Sequence, residues 1–451
     1  MKKFLSLVLA LVMTMSLVTV SAGAKDFTDS SKITYSEAVD VMSAVKVIDG
    51  YAEGDFRPTA TLTRGAAAKI ICNLILGPTT ASALVADAAP YKDVPTNHTF
   101  AGYIAYCQKE GIISGYADGT FKPAATLTGY AFMKMLLGAL GYDATYEGYT
   151  GGNWSINVAK QAIGIGLNKG LVDEFNGVDF VTREEAALYA FNTLKATMVE
   201  YDNSSTITVG DITITGQGDY SDVSNSTSSD GNIEDDGLMQ FAERYFDDLE
   251  AEDDTDDFGR PATKWVYDGD DLCTYANDAD ETFVVDDTED SLLTLMTDGD
   301  CLNYSSSDIN SDADVYFNGT DEGAYSSNRN SALAGKGDIL EVYEDDNGDV
   351  DTIVIRSYTY AKIDTVDTDL SSTHENRGAS VGIELVDIDD DSIGTYYNDY
   401  NDYNDDDKIL KGYNSDYTEG TVLAVAISED DNDVILDSYI MDSVTGTRWT
   451  R

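Results

Sequence analysis

A gapless internal repeat constrains the fold of this chain more than any other feature. Residues 50–71 read GYAEGDFRPTATLTRGAAAKII, and residues 115–136 read GYADGTFKPAATLTGYAFMKML, at an offset of 65 residues. A third, looser copy, GLVDEFNGVDFVTREEAALYA, occupies residues 170–190. A repeat of this kind is a supersecondary unit that buries its apolar face only when several copies pack together.

Each copy predicts the same pair of helices joined by a Gly turn. The first helices are predicted over residues 34–47, 100–110 and 154–168. A Thr stands at the predicted start of the second helix in each copy. Thr suits an N-cap, because its hydroxyl accepts a hydrogen bond from an otherwise unpaired helix N–H. These residues are Thr63, Thr128 and Thr182. Glu185, three residues after Thr182, predicts a capping box. The apolar side chains that follow recur at helical spacing and indicate core-facing helices.

Charge separates the repeats from the rest of the chain. Residues 25–200 carry 14 Lys and Arg against 19 Asp and Glu, whereas residues 201–451 carry 12 against 63. A surface this acidic repels nucleic acid and anionic lipid and attracts cations. We therefore expect no nucleic-acid partner, and we expect Ca²⁺ as a candidate ligand of the acidic region.

Residues 1–24 have the pattern of a secretory signal peptide. Lys2 and Lys3 precede an apolar run, and Ala22-Gly23-Ala24 fits a small-residue cleavage site. The alternative is a membrane anchor, although the run is short for a span. The pattern predicts an exported protein that does not stay inserted in the membrane.

The chain beyond residue 200 reads as β-rich. Residues 201–237 hold two short alternating runs and a Ser-rich stretch, which predicts a small hairpin and a flexible linker. Residues 238–451 hold many strand-like runs around acidic turns such as Asp431-Asn432-Asp433. We expect one or two small acidic β domains there.

Little in the sequence predicts catalysis. The chain has two His and lacks phosphate-binding and dinucleotide motifs, while 82 acidic residues make any single carboxylate pair uninformative. Among the four Cys, Cys72 reads as a buried thiol, and Cys273 and Cys301 could either pair or stay free. We expect a protein that is not an enzyme.

The repeats resemble the S-layer homology domain of bacterial surface proteins. The resemblance is carried by Phe27-Thr28-Asp29, by Tyr91-Lys92-Asp93-Val94-Pro95, by the run from Gly111 to Phe121, and by the Thr-Arg at 63–64 and 182–183. It implies an N-terminal all-α, pseudo-threefold helical bundle followed by the β-rich acidic domains. The implied repeats span residues 25–77, 90–142 and 143–200.

The resemblance also implies a ligand and its site. Grooves between such repeats hold secondary cell-wall polysaccharide, often bearing a pyruvate ketal, and the Arg after the Thr binds the ketal carboxylate. Arg64 and Arg183 take this role here, while Gly129 replaces the Arg in the second copy. An Arg in the first turn opposes the helix dipole, which favours a role in which Arg and the free helix N–H groups hold one anion.

Five further residues complete the predicted site, and they are Thr63, Thr182, Asp29, Asp93 and Trp154. Asp29 and Asp93 either cap a helix or orient the Arg, and Trp154 either stacks on a sugar or belongs to the core. The function expected is that of a non-catalytic S-layer protein at the surface of a Gram-positive bacterium, which binds wall polysaccharide and copies of itself. A wall-anchored polysaccharide hydrolase or an adhesin is the alternative.

Overall fold

The computed structural model divides into two compact units. It describes residues 27–172, 174–201, 206–209, 212–215, 219–225, 232–234, 236–286, 290–345, 347–371, 378–387, 389–398, 408–413, 416–428 and 434–441. The predicted signal peptide and the turn at 431–433 lie outside these residues. The N-terminal unit comprises the described residues up to Glu252 together with Lys264–Cys273, and the C-terminal unit comprises Asp253–Thr263 and the described residues from Thr274 onward.

Six helices form the predicted pairs of the N-terminal unit. They are α1 (Ser36–Ala44), α2 (Arg64–Ser82), α3 (Ala101–Lys109), α4 (Gly129–Leu140), α5 (Trp154–Gly164) and α6 (Arg183–Lys195). Helix α2 is broken at Gly77, whose φ of 71° is left-handed and which precedes Pro78. A shorter helix, α7 (Phe241–Tyr245), follows later in the chain.

The N-cap predictions are confirmed for two of the three second helices. The Thr63 hydroxyl accepts from the N–H of Ala66 at 3.3 Å. Thr182 and Glu185 form the reciprocal capping box, with the Thr182 N–H 2.6 Å from the Glu185 carboxylate. Thr128 lies at the N-cap position of α4 without a side-chain cap hydrogen bond.

The expectation of an all-α N-terminal bundle is wrong. Several β-sheets are present among the described residues, and some of their strands lie in the same unit as the helices of the repeats. Strands β1 (Val199–Tyr201) and β4 (Tyr220–Asp222) pair antiparallel, as do β2 (Thr206–Val209) and β3 (Ile212–Thr215). A three-stranded sheet follows, of order β5 (Leu249–Thr255), β6 (Pro261–Tyr267) and β7 (Asp270–Ala276). The chain is multi-domain, but its helical repeats share their unit with strands.

Trp265 supplies the physical reason for this mixture. Its side chain is fully buried, and its ring lies edge-on to Phe191 of α6 with 5.2 Å between centroids. Its indole Nε1–H donates to Glu37 of α1 at 2.8 Å. Trp265 therefore joins both α1 and α6 to a β-strand that lies about 70 residues beyond the last helix of the repeats.

The C-terminal unit contains two mixed sheets. The first has the strand order β10-β9-β12-β11-β8, with β9 and β12 parallel. Its strands are β8 (Glu281–Val284), β9 (Ile309–Phe317), β10 (Thr320–Ala324), β11 (Ile339–Glu344) and β12 (Val350–Arg356), with short helices α8 (Leu292–Thr297) and α9 (Tyr325–Asn328). The second has the order β16-β15-β14-β13-β17-β18. Its strands are β13 (Thr359–Asp367), β14 (Gly382–Val386), β15 (Ser392–Tyr397), β16 (Lys408–Ile409), β17 (Val422–Ile427) and β18 (Ile435–Ile440).

Candidate polysaccharide-binding site

A closed ring of hydrogen bonds brings the three second helices together. The N–H of Leu62 donates to the carbonyl of Val181, that of Val181 to Leu127, and that of Leu127 back to Leu62, at 2.9–3.0 Å. Each of these residues comes directly before an N-cap Thr, and each is buried. The ring therefore sets the starts of α2, α4 and α6 around one centre, and the residue after each Thr lies against a neighbouring repeat.

The first N–H groups of these helices are already occupied. Arg64 N–H donates to Ala125 at 2.9 Å, and Gly65 N–H donates to Pro123 at 2.8 Å. The equivalent N–H groups of α4 and α6 donate in the same way to carbonyls of the next repeat. The expectation that these groups join the Arg in holding a ligand anion is therefore not met, since they hold the repeats together instead.

Arg64 reaches from the first repeat into the turn of the second. Its Nε donates to the carbonyl of Phe121 at 2.8 Å, and its Nη2 donates to that of Ser114 at 3.2 Å. Its guanidinium carbon lies 4.3 Å from the Phe121 ring centroid and 5.2 Å from that of Tyr116. Two of five N–H donors are used in these bonds, so the guanidinium is fixed in place and keeps donors for a ligand.

Arg183 makes the same contacts one position around the ring. Its Nε donates to Phe56 and its Nη2 to Asp49, both at 2.9 Å, and it lies over the rings of Tyr51 and Phe56. Burial lowers the pKa of both Arg64 and Arg183, but a guanidinium stays protonated at physiological pH. The recurrence of Thr-Arg in the sequence thus corresponds to one repeated tertiary contact.

Asp29 and Asp93 hold the loops that these Arg side chains contact. The Asp29 carboxylate accepts from the N–H groups of Phe56 and Arg57, both at 2.8 Å, and the Asp93 carboxylate accepts from those of Phe121 and Lys122, both at 2.7 Å. Burial acts to raise the pKa of each carboxyl, but these donors outweigh it and hold the pKa below its ordinary value. Both residues therefore orient the Arg indirectly, through a carbonyl of the loop.

Gly129 has a packing reason for replacing the Arg. A Cβ at this position would lie 3.2 Å from Gly177 Cα and 3.3 Å from the Phe175 ring. The next side chain, Tyr130, lies against Gly177 and contacts Phe175 edge-on, with 5.8 Å between centroids. An aromatic contact with the third repeat therefore fills the place where the other two repeats receive a guanidinium.

A cavity of about 460 Å³ opens beside Arg64. Its walls come from all three repeats and include Tyr116 and Phe121 of the second turn, Thr126, Thr128 and Lys134 around α4, and Tyr149, Gly151 and Trp154. Among the described residues that line it, none is acidic and two are cationic, Arg64 and Lys134. Of the predicted site residues, Arg64 and Trp154 line this cavity, whereas Arg183, Asp29, Asp93, Thr63 and Thr182 do not.

Lys134 is a cationic lining residue that the sequence alone did not identify as part of a site. Its Nζ donates to the carbonyl of Tyr149 at 2.7 Å and lies 5.8 Å from the Trp154 ring centroid. Burial lowers its pKa. The signal was present in the sequence, because Lys134 is a cation on an otherwise apolar helix. Its counterpart Lys69 in the first repeat is exposed, however, so the pattern alone does not separate the two.

Tyr149 also lines this cavity, and its side chain is buried. The residue is 2% exposed, and its hydroxyl has no hydrogen-bond partner among the described residues. Burial raises the pKa of Tyr149, so the hydroxyl is neutral and can donate.

The other kinds of site considered are a metal site, a membrane-spanning helix and a disulfide between Cys273 and Cys301. Among the described residues, no group of three or more His, Cys, Asp or Glu is placed to hold a metal ion. Within the same residues, none of the helices has the length and apolar character needed to cross a bilayer. Cys273 and Cys301 are both free thiols.

Comparison with known proteins identifies the family to which the first two repeats are similar. The S-layer homology domain family matches residues 26–68 and 90–129, so the chain carries S-layer homology domains, of which two are matched; the third remains a prediction. A surface layer protein of Brevibacillus choshinensis is 27% identical over 188 residues, which cover 41% of this chain and 17% of that protein. The chain is a cell-wall-associated protein of the bacterial cell surface.

Two other relatives carry similar segments in different settings. A protein of Bacillus anthracis named as an uncharacterized cell wall amidase is 28% identical over 179 residues, or 38% of this chain and 32% of that protein. A cellulosome-anchoring protein of Acetivibrio thermocellus is 29% identical over 136 residues, or 28% of this chain and 30% of that protein. In these three relatives the matched region spans a third or less of the relative's length.

Proposed function

We propose that the cavity beside Arg64 binds a carboxylate-bearing sugar of the secondary cell-wall polysaccharide, such as a pyruvate ketal, and so anchors the protein to the wall. One observation carries the proposal: two partly buried cations line this cavity, and none of the described lining residues is acidic, in a chain of net charge −54. A partly buried cation needs an anion to offset its lost hydration. A ligand carboxylate between Arg64 and Lys134 supplies one.

The remaining walls suit a sugar. Trp154 and Tyr116 offer aromatic faces, and Thr126 and Thr128 offer hydroxyls. The volume lies in the range of small-ligand sites, which favours a terminal or single substituted sugar over a long run of the polymer. The described lining residues provide no carboxylate pair for glycoside hydrolysis, so we propose a binding role without catalysis for this cavity.

Binding of the exported full-length chain to isolated cell walls tests this function. We expect the protein to sediment with intact walls and to stay in solution once the secondary polymer has been stripped by mild acid. Readdition of the released polymer should compete with wall binding. Equal sedimentation with intact and stripped walls would contradict the proposal.

The acidic region of residues 201–451 favours a second element of the proposal, lateral assembly into a surface layer. Residues 201–451 carry 63 Asp and Glu against 12 Lys and Arg, and such surfaces approach one another only when cations screen them. We propose that Ca²⁺ bridges neighbouring copies. Electron microscopy of the purified full chain is expected to show sheets with Ca²⁺ and dispersed protein with EDTA. Dispersed protein in both conditions would contradict lateral assembly while leaving wall anchoring intact.

A further inference from the structure

Two cysteines from different repeats meet in the core of the N-terminal unit. Cys72 lies on α2 of the first repeat, and Cys107 lies on α3 of the second. Both side chains are fully buried, and the two Sγ atoms are 3.6 Å apart. This contact joins residues 35 positions apart in the sequence.

Their hydrogen bonds are reciprocal. The Cys72 thiol lies 3.5 Å from the carbonyl of Tyr103, and the Cys107 thiol lies 3.6 Å from that of Ala68. Each carbonyl belongs to the residue four positions before the other Cys, so it already accepts a helix N–H. Losing both S–H donors would therefore leave no buried polar group without a partner.

We propose that Cys72 and Cys107 form a disulfide in the exported protein and so link the first repeat to the second. The oxidant is an external disulfide that acts by thiol–disulfide exchange. The Cys72 thiolate attacks it and releases one thiol, and the Cys107 thiolate then attacks the Cys72 sulfur and releases the second thiol. The chain loses two hydrogen atoms, and its two electrons reduce the external disulfide.

Location and burial determine when this reaction occurs. The protein works at the cell surface, outside the reducing cytosol. In the folded protein both sulfurs are inaccessible, and the hydrogen bond to Cys107 together with burial raises the pKa of Cys72. The bond therefore forms while α2 and α3 are packing, and it is shielded from reductants afterwards.

The link would also support the cavity. Helix α2 begins at Arg64, and the chain leaving α3 contributes Ile112, Ile113 and Ser114 to the cavity wall. A covalent bond between these helices limits how far the two walls can separate.

Mass spectrometry of the exported full chain tests the proposal. Protein recovered from cells is denatured in guanidinium with excess N-ethylmaleimide and without reductant, and its intact mass is measured. We expect two adducts, at Cys273 and Cys301, and four adducts when a reductant precedes the maleimide.

A variant separates this pair from the other two thiols. The Cys273→Ser, Cys301→Ser protein should take up no maleimide without reductant and two after reduction. Adding Cys107→Ala should expose Cys72 to one adduct without reductant. Two adducts on the Cys273→Ser, Cys301→Ser protein without reductant would overturn the disulfide, whatever the result for wall binding.

Discussion

Replacing both cations of the cavity should abolish wall binding. Truncating a charged group that holds a carboxylate costs about 1.5–3 kcal/mol, so we expect Arg64→Ala and Lys134→Ala each to weaken Kd by about 10- to 150-fold. The double variant should show no measurable binding to intact walls. Sedimentation at a series of protein concentrations gives the Kd values.

Matched controls separate charge from packing. Lys134→Met keeps the aliphatic stem and removes the ammonium, so it should weaken binding as much as Lys134→Ala does. Lys69→Ala changes the equivalent but exposed position of the first repeat and should bind as the wild type does. A double variant whose Kd stays within twofold of the wild-type value would refute the assigned site.

Arg183 tests whether a residue outside the cavity contributes to wall binding. Its contacts repeat those of Arg64, but it does not line the cavity described above. Lys69, which takes the position of Lys134 in the first repeat, is exposed. We therefore expect Arg183→Ala to weaken wall binding less than Arg64→Ala does.

Trp265→Ala should cause the largest loss of stability of any single substitution proposed. The side chain is fully buried against Phe191 and donates to Glu37. Removing a buried Trp typically costs about 3–5 kcal/mol, and the Glu37 carboxylate also loses a donor. Urea unfolding of the full chain, followed by near-ultraviolet circular dichroism, should show the transition of the N-terminal unit at a lower urea concentration.

Two variants define what the Trp265 result means. Trp265→Phe keeps an aromatic ring and removes the Nε1 donor, so it should lose less stability than Trp265→Ala. Trp154→Ala removes a partly exposed Trp of the same unit and should change stability little while weakening wall binding. An unchanged urea midpoint for Trp265→Ala would mean that strand β6 does not stabilise the helical repeats.

Local features of the fold could be predicted because they depend on near neighbours in the chain. The positions of the second helices follow from an N-cap Thr and an apolar stripe, and the Thr182–Glu185 capping box follows from a spacing of three residues. The β-rich character of residues 238–451, which include strand β6, was also predicted. That Trp265 of β6 contacts α1 and α6 could not be predicted, because the local sequence does not show which distant segments a strand packs against.

The same distinction applies to the site. The repeated Thr-Arg pointed to Arg64, because the third copy has Arg183 at the equivalent position. Lys134 could not be found this way, since its role arises where three repeats meet around one cavity. Cys72 reads as a buried thiol from its helix alone, but its contact with Cys107 depends on how α2 packs on α3.

The sequence by itself determined the repeats, the helix starts, the contrast in charge between the two halves and the resemblance to S-layer homology domains. Each of these features follows from residue spacing or composition and does not depend on a long-range contact. Only the tertiary structure decided that the helix N–H groups join repeats, that two cations share a cavity and that a distant strand covers the helices. The physical reason is that a buried surface, a cavity and a shifted pKa all depend on segments brought together by packing.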